Sequence, residues 1–352
     1  MSALIIRPAA ITDANLTSNV VEIPPAAHDM GTTYAAGAQA SVLGGPGSTA
    51  AAVYESLQAG NTGHAPGASP LWWTAIGTAY LAYDAGTSYP DLAVVTDPAS
   101  HLLYASASAG NLGNALTDTD HWTLVGPTNR WAMFDTQTRT RTTRPGSIVF
   151  THAGTGRIDS VALFNLVAAT VRIQQFDGVT PTFDQTFSLN SSAGIIDPWT
   201  YCFEPIVRKT QHVHIGLPNI YNPITTVTVT AATGQDAAIG HAVFGLSRDI
   251  GGAEWGFRMG GIDYSKFEVD EFGENVKIIP RTRVRKNNFT IEIDDARIVD
   301  VLELLNSYHA TPVVFVGTQR YASAAAFGLI AANDLVVSNG VYGLIDIEVK
   351  GF

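Results

Sequence analysis

Charge is scarce in this chain. Only 14% of its 352 residues are Asp, Glu, Lys or Arg, and acids outnumber bases 31 to 20, a formal net charge of −11. A basic face is the electrostatic footprint of a nucleic-acid binder, so no nucleic-acid partner is expected. Cysteine is nearly missing. Cys202 stands alone, which excludes an intrachain disulfide framework. Lying between Tyr201 and Phe203 in an apolar run, it is expected to be a buried thiol. No apolar run approaches the roughly eighteen residues of a membrane-spanning helix, so no membrane span is expected. Residues 1–8 hold no charged segment leading into a long apolar one, and no signal peptide is expected. There is no Gly-x-Ser-x-Gly, no His-Glu-x-x-His and no phosphate-cradling Gly-rich loop ending in Lys-Ser or Lys-Thr. Catalytic residues, a cofactor and a metal set are therefore not expected. Disorder is excluded from the other side, because 46% of residues are hydrophobic.

Glycine is plentiful, at 33 residues. With the many Thr, Ser and Val residues and the low charge, it points to a mainly β protein whose surface is partly covered in an assembly. A repeat dominates the first third. Tyr54-Glu55-Ser56 leads to Gly60-Asn61-Thr62-Gly63 and then to Trp72-Trp73-Thr74-Ala75-Ile76-Gly77. Tyr104-Ala105-Ser106 leads in the same order to Gly110-Asn111-Leu112-Gly113 and Trp122-Thr123-Leu124-Val125-Gly126. The entries match, Gly31-Thr32-Thr33-Tyr34 against Gly86-Thr87-Ser88-Tyr89, as do the exits at Asp84 and Asp135. A unit this small buries little surface alone. Aromatic side chains carry a large area each, so a Tyr/Trp nucleus can replace a larger core. Two copies are too few for a solenoid. Residues 30–84 and 85–135 are expected to be two small β modules packed together or against the next domain.

Residues 1–29, punctuated by Pro8 and Pro24-Pro25, form an arm with one short strand at Val20–Ile23. It lies on a neighbouring subunit or folds back on its own domain. Residues 136–250 read as a jelly-roll-like β-sandwich. Val171, Ile173 and Gln175 alternate with Arg172, Gln174 and Phe176, and the valines of 226–230 alternate with its threonines. Tyr201–Phe203 and His212–Ile215 are further strands. Residues 251–352 read as an α+β assembly domain. It holds a hairpin pairing Lys266–Val269 with Val276–Ile279 through 270–275. One main helix follows, with Asp294 or Asp295 as N-cap and a stripe of Ile298, Val301, Leu302, Leu304, Leu305 and Tyr308.

Some side chains invite a chemical reading. His212 and His214 share a strand face, but a metal needs a third ligand and none is near in sequence. Asp118-Thr119-Asp120-His121 could touch a cation, though Asp-x-Asp is a common turn. Asp177 and Asp184 could serve a glycosidase as a carboxylate pair. Arg281, Arg283, Arg285 and Lys286 form a basic stripe suited to an acidic partner subunit, or a solvated strand face.

Two resemblances complete the reading. Tyr34-Ala35-Ala36-Gly37, Tyr54, Gly60 to Gly63, Pro66 and Trp72-Trp73 resemble the small carbohydrate-binding modules of chitinases and cellulases. The resemblance implies a sugar platform of Trp72 and Trp73, with Tyr54 and Tyr80 as helpers. The second copy lacks the Pro and has one Trp, which fits a scaffold role. Ile11-Thr12-Asp13-Ala14-Asn15-Leu16, Gly126-Pro127-Thr128-Asn129-Arg130-Trp131, Arg157-Ile158-Asp159-Ser160 and Gly261-Ile262-Asp263-Tyr264-Ser265-Lys266 resemble proteins encoded in tailed-bacteriophage and prophage structural clusters. That likeness covers nearly the whole chain. It implies a virion structural protein of the tail tip or baseplate region. Such a protein would form a homo-oligomeric ring or fibre-anchoring subunit with other virion proteins as partners. A host-surface glycan-binding adhesin is the alternative, and a polysaccharide depolymerase the third.

Overall fold

The computed structural model describes all residues except 1, 138–139, 155, 192–194, 206, 270–275, 282, 338–340 and 352. The turn expected at 270–275 lies outside the described residues. The protein is mainly β, with several sheets and one main helix.

The sandwich begins with an antiparallel five-stranded sheet. Its order is Thr180–Ser188, Thr170–Asp177, Ile224–Thr230, Ser147–Ala153, Leu16–Ser18. The period-two pattern decides which side is buried. Val171, Ile173, Val227 and Val229 are fully buried, whereas Arg172 and Thr230 are exposed. Gln175 lies on the buried face as well, and its amide N–H donates to the Ile158 carbonyl at 3.0 Å, which satisfies the nitrogen but not the amide oxygen. Opposite stand Gln211–Ile215, Ser160–Phe164 and His241–Ala253. Val161, Leu163, Ala242 and Phe244 from this side meet Ile148 and Phe150 from the other in one core.

These opposing strands belong to a nine-stranded sheet that continues through Ser2–Pro8, Val313–Val316, Ala325–Val337, Tyr342–Gly351, Arg283–Asp294 and Arg258–Asp263. The sheet also turns back on itself. Gly252 and Ala253 pair with Glu292 and Ile291, which closes the strands from 241–253 round to 283–294 into a six-stranded ring. The approach is tight: Gly251 has φ +131°, and a Cβ there would stand 2.3 Å from the Glu292 carbonyl oxygen. Ile5, Phe289, Ile291, Phe315, Ile345 and Val349 form the core of this ring. The helix α2 (Ile298–Ser307) adds Ile298, Val301 and Leu305 to the same core.

The other face of the nine-stranded sheet curls as well. Phe164 and Phe327 lie 6.3 Å apart, ring to ring, although three strands separate theirs in the sheet. A flat sheet at ~4.8 Å per strand would hold them far beyond contact. Leu4, Ile6, Ala162, Val243, Val314 and Val316 are buried inside the curl.

Several expectations are corrected here. Residues 1–29 are not an arm on a neighbour. Ser2–Pro8 runs between 241–253 and 313–316 in the interior of the large sheet, and the short strand is Leu16–Ser18 rather than 20–23. The division at 250 falls inside the continuous strand His241–Ala253, because sandwich and ring share one sheet. Tyr201–Phe203 is helical, in the short helix α1 (Pro198–Phe203), and Cys202 is exposed. Helix α2 is entered through a 3-10 turn at Asp295–Arg297, and neither Asp294 nor Asp295 caps it with a side chain.

Candidate functional site

The repeat holds at the level of individual hydrogen bonds. Each module is a three-stranded antiparallel sheet: Gln39–Leu43, Ala50–Ser56 and Trp73–Tyr80 in the first, Val94–Asp97, Leu102–Ser106 and Trp122–Pro127 in the second. In the first, Asn61 is fully buried and its amide N–H donates to Ser56 Oγ (2.9 Å) and to the Trp72 carbonyl (3.3 Å). In the second, Asn111 donates to Ser106 Oγ (3.1 Å) and to the His121 carbonyl (3.0 Å). Trp73 Nε1–H donates to the His64 carbonyl at 2.8 Å, and Trp122 Nε1–H to the Asn114 carbonyl at 3.0 Å. The tyrosine hydroxyls of Tyr34 and Tyr89 accept from the Asp29 and Asp84 backbone N–H groups, at 2.9 and 2.8 Å. Both sheets slip register at the same point, opposite Gly77 (φ +143°) and Gly126 (φ +149°).

This geometry corrects the sugar platform. Trp73 is the module's core, 3% exposed, edge-on to Tyr34 and His28. Only Trp72 reaches the surface, half-buried and stacked on His64 with ring centroids 4.0 Å apart. Tyr54 and Tyr80 are half-buried on the same sheet, Tyr54 opposite Ala75 and Tyr80 opposite Ala50. The Tyr54 hydroxyl lies against Gly67. Among the described residues no ring contact joins Tyr54 or Tyr80 to either tryptophan.

The modules are clasped to the body at two points that sequence reasoning missed. Arg144, 6% exposed, reaches across to Glu55 at 2.7 Å. Glu22 gathers the second module: His101 Nδ1 lies 2.9 Å from one oxygen, Thr128 Oγ1 donates to that oxygen at 3.1 Å, and Trp131 Nε1–H donates to the other at 3.1 Å. His101 stacks on Trp131 at 3.9 Å, with its Nε2 3.5 Å from Asp13. Asp13, Glu22 and His101 are close enough to be tested as a metal set. Glu22 already accepts three hydrogen bonds and one imidazole nitrogen is committed to it, so the cluster reads as a hydrogen-bonded clasp. No signal in the sequence paired residues this far apart.

The other candidates separate. Asp118 spends its carboxylate on its own turn, accepting from Asp120 N–H at 3.0 Å and contacting His121 at 2.9 Å. These bonds, His121 first, hold it below the usual carboxylate range. Asp184 is bound by Arg172, whose hydrogen bond lowers its pKa, the opposite of what a general acid needs. His212 and His214 do share a face and lie 6.5 Å apart, tilted against Phe183 and Phe187. Burial pushes His212 down to about 4, with the nearby His214 and Lys209 charges adding to it, and burial lowers His214 too.

Arg281 precedes the strand Arg283–Asp294 and is exposed, and the Arg283 side chain lies outside the described residues. Arg285 is half-buried and lowered by burial, whereas Lys286 is paired with Glu348 at 3.0 Å.

Two elements expose clustered apolar side chains. Helix α1 starts with a capping box, Asp197 accepting from Thr200 N–H at 2.7 Å. It then presents Trp199 (63% exposed), Tyr201 (74%) and Phe203 (70%) to solvent and buries nothing. The hairpin sets Phe267 directly opposite Ile278, both exposed. No helix among the described residues is long and apolar enough to cross a membrane. Comparison with known proteins found no matching family model, no similar curated protein and no similar solved structure.

Proposed function

We propose that this protein is a structural component of a tailed-phage virion, in the tail tip or baseplate region, working as an oligomeric subunit. Helix α1 carries the reading. Three aromatic side chains, each of about 150–250 Å², stand mostly exposed beside Ile196, which is 86% exposed. They present on the order of 400 Å² in all, the size of the largest apolar patch on a typical soluble monomer, and such patches are often functional. The Phe267–Ile278 hairpin adds a second apolar surface on another part of the chain. Subunit contact gives both a partner, and the likeness of residues 11–16, 126–131, 157–160 and 261–266 to phage structural proteins supplies the setting.

Native mass spectrometry of the full chain tests the assembly. An oligomer that Trp199→Ser with Phe203→Ser reduces to a folded monomer supports the reading. A wild-type chain that stays monomeric up to high micromolar concentration sinks it. Immunogold microscopy of virions with an antibody to residues 30–135 tests the place, since label on the head would move the protein off the tail.

A second reading, a glycan-binding adhesin, is favoured by one observation. Trp72 stacks on His64 outside the core while its neighbour Trp73 is inside. Trp72→Ala should abolish glycan retention while leaving particles intact, and unchanged host attachment would remove this reading.

A further inference from the structure

The curl of the large sheet creates a cavity at the sandwich edge. It has a volume of about 790 Å³ and lies between the strand Gln211–Ile215 and the segment that links Val313–Val316 to Ala325–Val337. That is within the ~300–1,000 Å³ of small-molecule sites. Its wall is electrostatically unlike the rest of the chain. Acids outnumber bases 31 to 20 overall. The lining nevertheless includes Lys209 and Arg320 and no Asp or Glu.

The two permanent cations are uncommitted. Among the described residues neither Lys209 nor Arg320 takes part in an ion pair. Arg320 is held instead by rings, its guanidinium carbon 5.8 Å from the Trp255 centroid and 5.6 Å from that of Tyr321. A cation–π seat positions a guanidinium without neutralising it. The His212 and His214 rings turn the other way, against Phe183 and Phe187 in the sandwich, so the polar wall is made by other side chains. Gln319 and Ser323 add amide and hydroxyl groups to the wall.

We infer that this cavity binds a small hydroxylated oxyanion of sugar size, a carboxylate or a phosphate ester. Lys209 and Arg320 meet the charge, and Gln319 and Ser323 meet the hydroxyls. The inference does not depend on where the protein sits in a particle.

Isothermal titration calorimetry on the full chain at low ionic strength tests it with three probes: glucuronate, glucose 6-phosphate and glucose. Saturable heat from either charged sugar, with none from glucose, is the expected result. Glucuronate alone would identify a carboxylate site, and glucose 6-phosphate alone a phosphate site. Both Lys209 and Arg320 are exposed, so Lys209→Gln and Arg320→Gln spare the core. Each should weaken binding about tenfold or more, the loss of a charged hydrogen bond. Lys277→Gln, outside the cavity, should leave binding unchanged. No heat from any probe, glucose binding as well as the charged sugars, or full affinity in both cavity variants would overturn the proposal.

Discussion

The two modules share a nucleus and differ in what surrounds it. In both, a buried Asn ties a Ser hydroxyl to the carbonyl before the core Trp, and that Trp donates to a loop carbonyl. The outer positions diverge. Where the first has Ile76, 5% exposed and packed near Val21, the second has Val125, 56% exposed. Where the first has Glu55 paired with Arg144, the second has Ala105. The second instead holds the body through His101 and Thr128 on Glu22. A small fold is specified by a few hydrogen-bonded aromatic residues, and its docking is written separately, on the residues around them.

The largest effect should come from breaking the nucleus. Trp73→Ala and Trp122→Ala should each cost about 3–5 kcal/mol, seen as lost hydrogen-exchange protection confined to the mutated module. Protection lost equally from both modules would show that they fold as one unit, and the comparison would fail.

Acidification comes next and separates modules from sandwich. His212 is lowered to about 4 in the folded state from an ordinary 6.5. The unfolded chain therefore binds the extra proton first as pH falls. The stability is fully present above about pH 6.5 and is lost progressively down to about pH 4, by up to ~3 kcal/mol. His214 shifts in the same direction. Urea midpoints measured at pH 7 and pH 5 should differ, and His212→Phe should flatten the difference. A wild-type midpoint that does not move would place His212 outside the buried edge.

Docking is the next target. Arg144→Ala should destabilise the attachment of the first module by about 2 kcal/mol. A wholly buried pair would lose more, but Glu55 is 28% exposed and solvent takes part of the loss. Proteolysis should then cut first near residues 30–84 and spare 85–135. The smallest effect belongs to Ser56→Ala and Ser106→Ala, about 1 kcal/mol each. Equal losses in thermal melts would sharpen the equivalence of the two nuclei.

Much of the local structure was legible in the sequence. The alternation of 171–176 and of 226–230 named the buried faces, and the 298–308 stripe named the helix and its inner side. The twice-written Gly-Asn-x-Gly and Trp located both modules. The placement of the two adjacent tryptophans was only half legible. Adjacent Trp72 and Trp73 must point apart if extended, but nothing in the pair says which one enters the core. Helix α1 was misread because Tyr201-Cys202-Phe203 is apolar and short, and a short apolar run does not distinguish a strand from a helix or burial from exposure.

By itself the sequence determined the mainly β class, the repeat and the apolar faces of the strands at 170–177 and 224–230 and of helix α2, because those follow from period and residue type within a few neighbours. Tertiary structure decided the rest. It placed Ser2–Pro8 inside a sheet built from the far end of the chain, closed the ring through Gly251 and Glu292, and curled the sheet until Lys209 and Arg320 bordered one cavity. It also set Glu22 beside His101 and Trp131. Each of these joins residues that are distant along the chain, and residue periodicity reports which face is apolar without saying what will cover it.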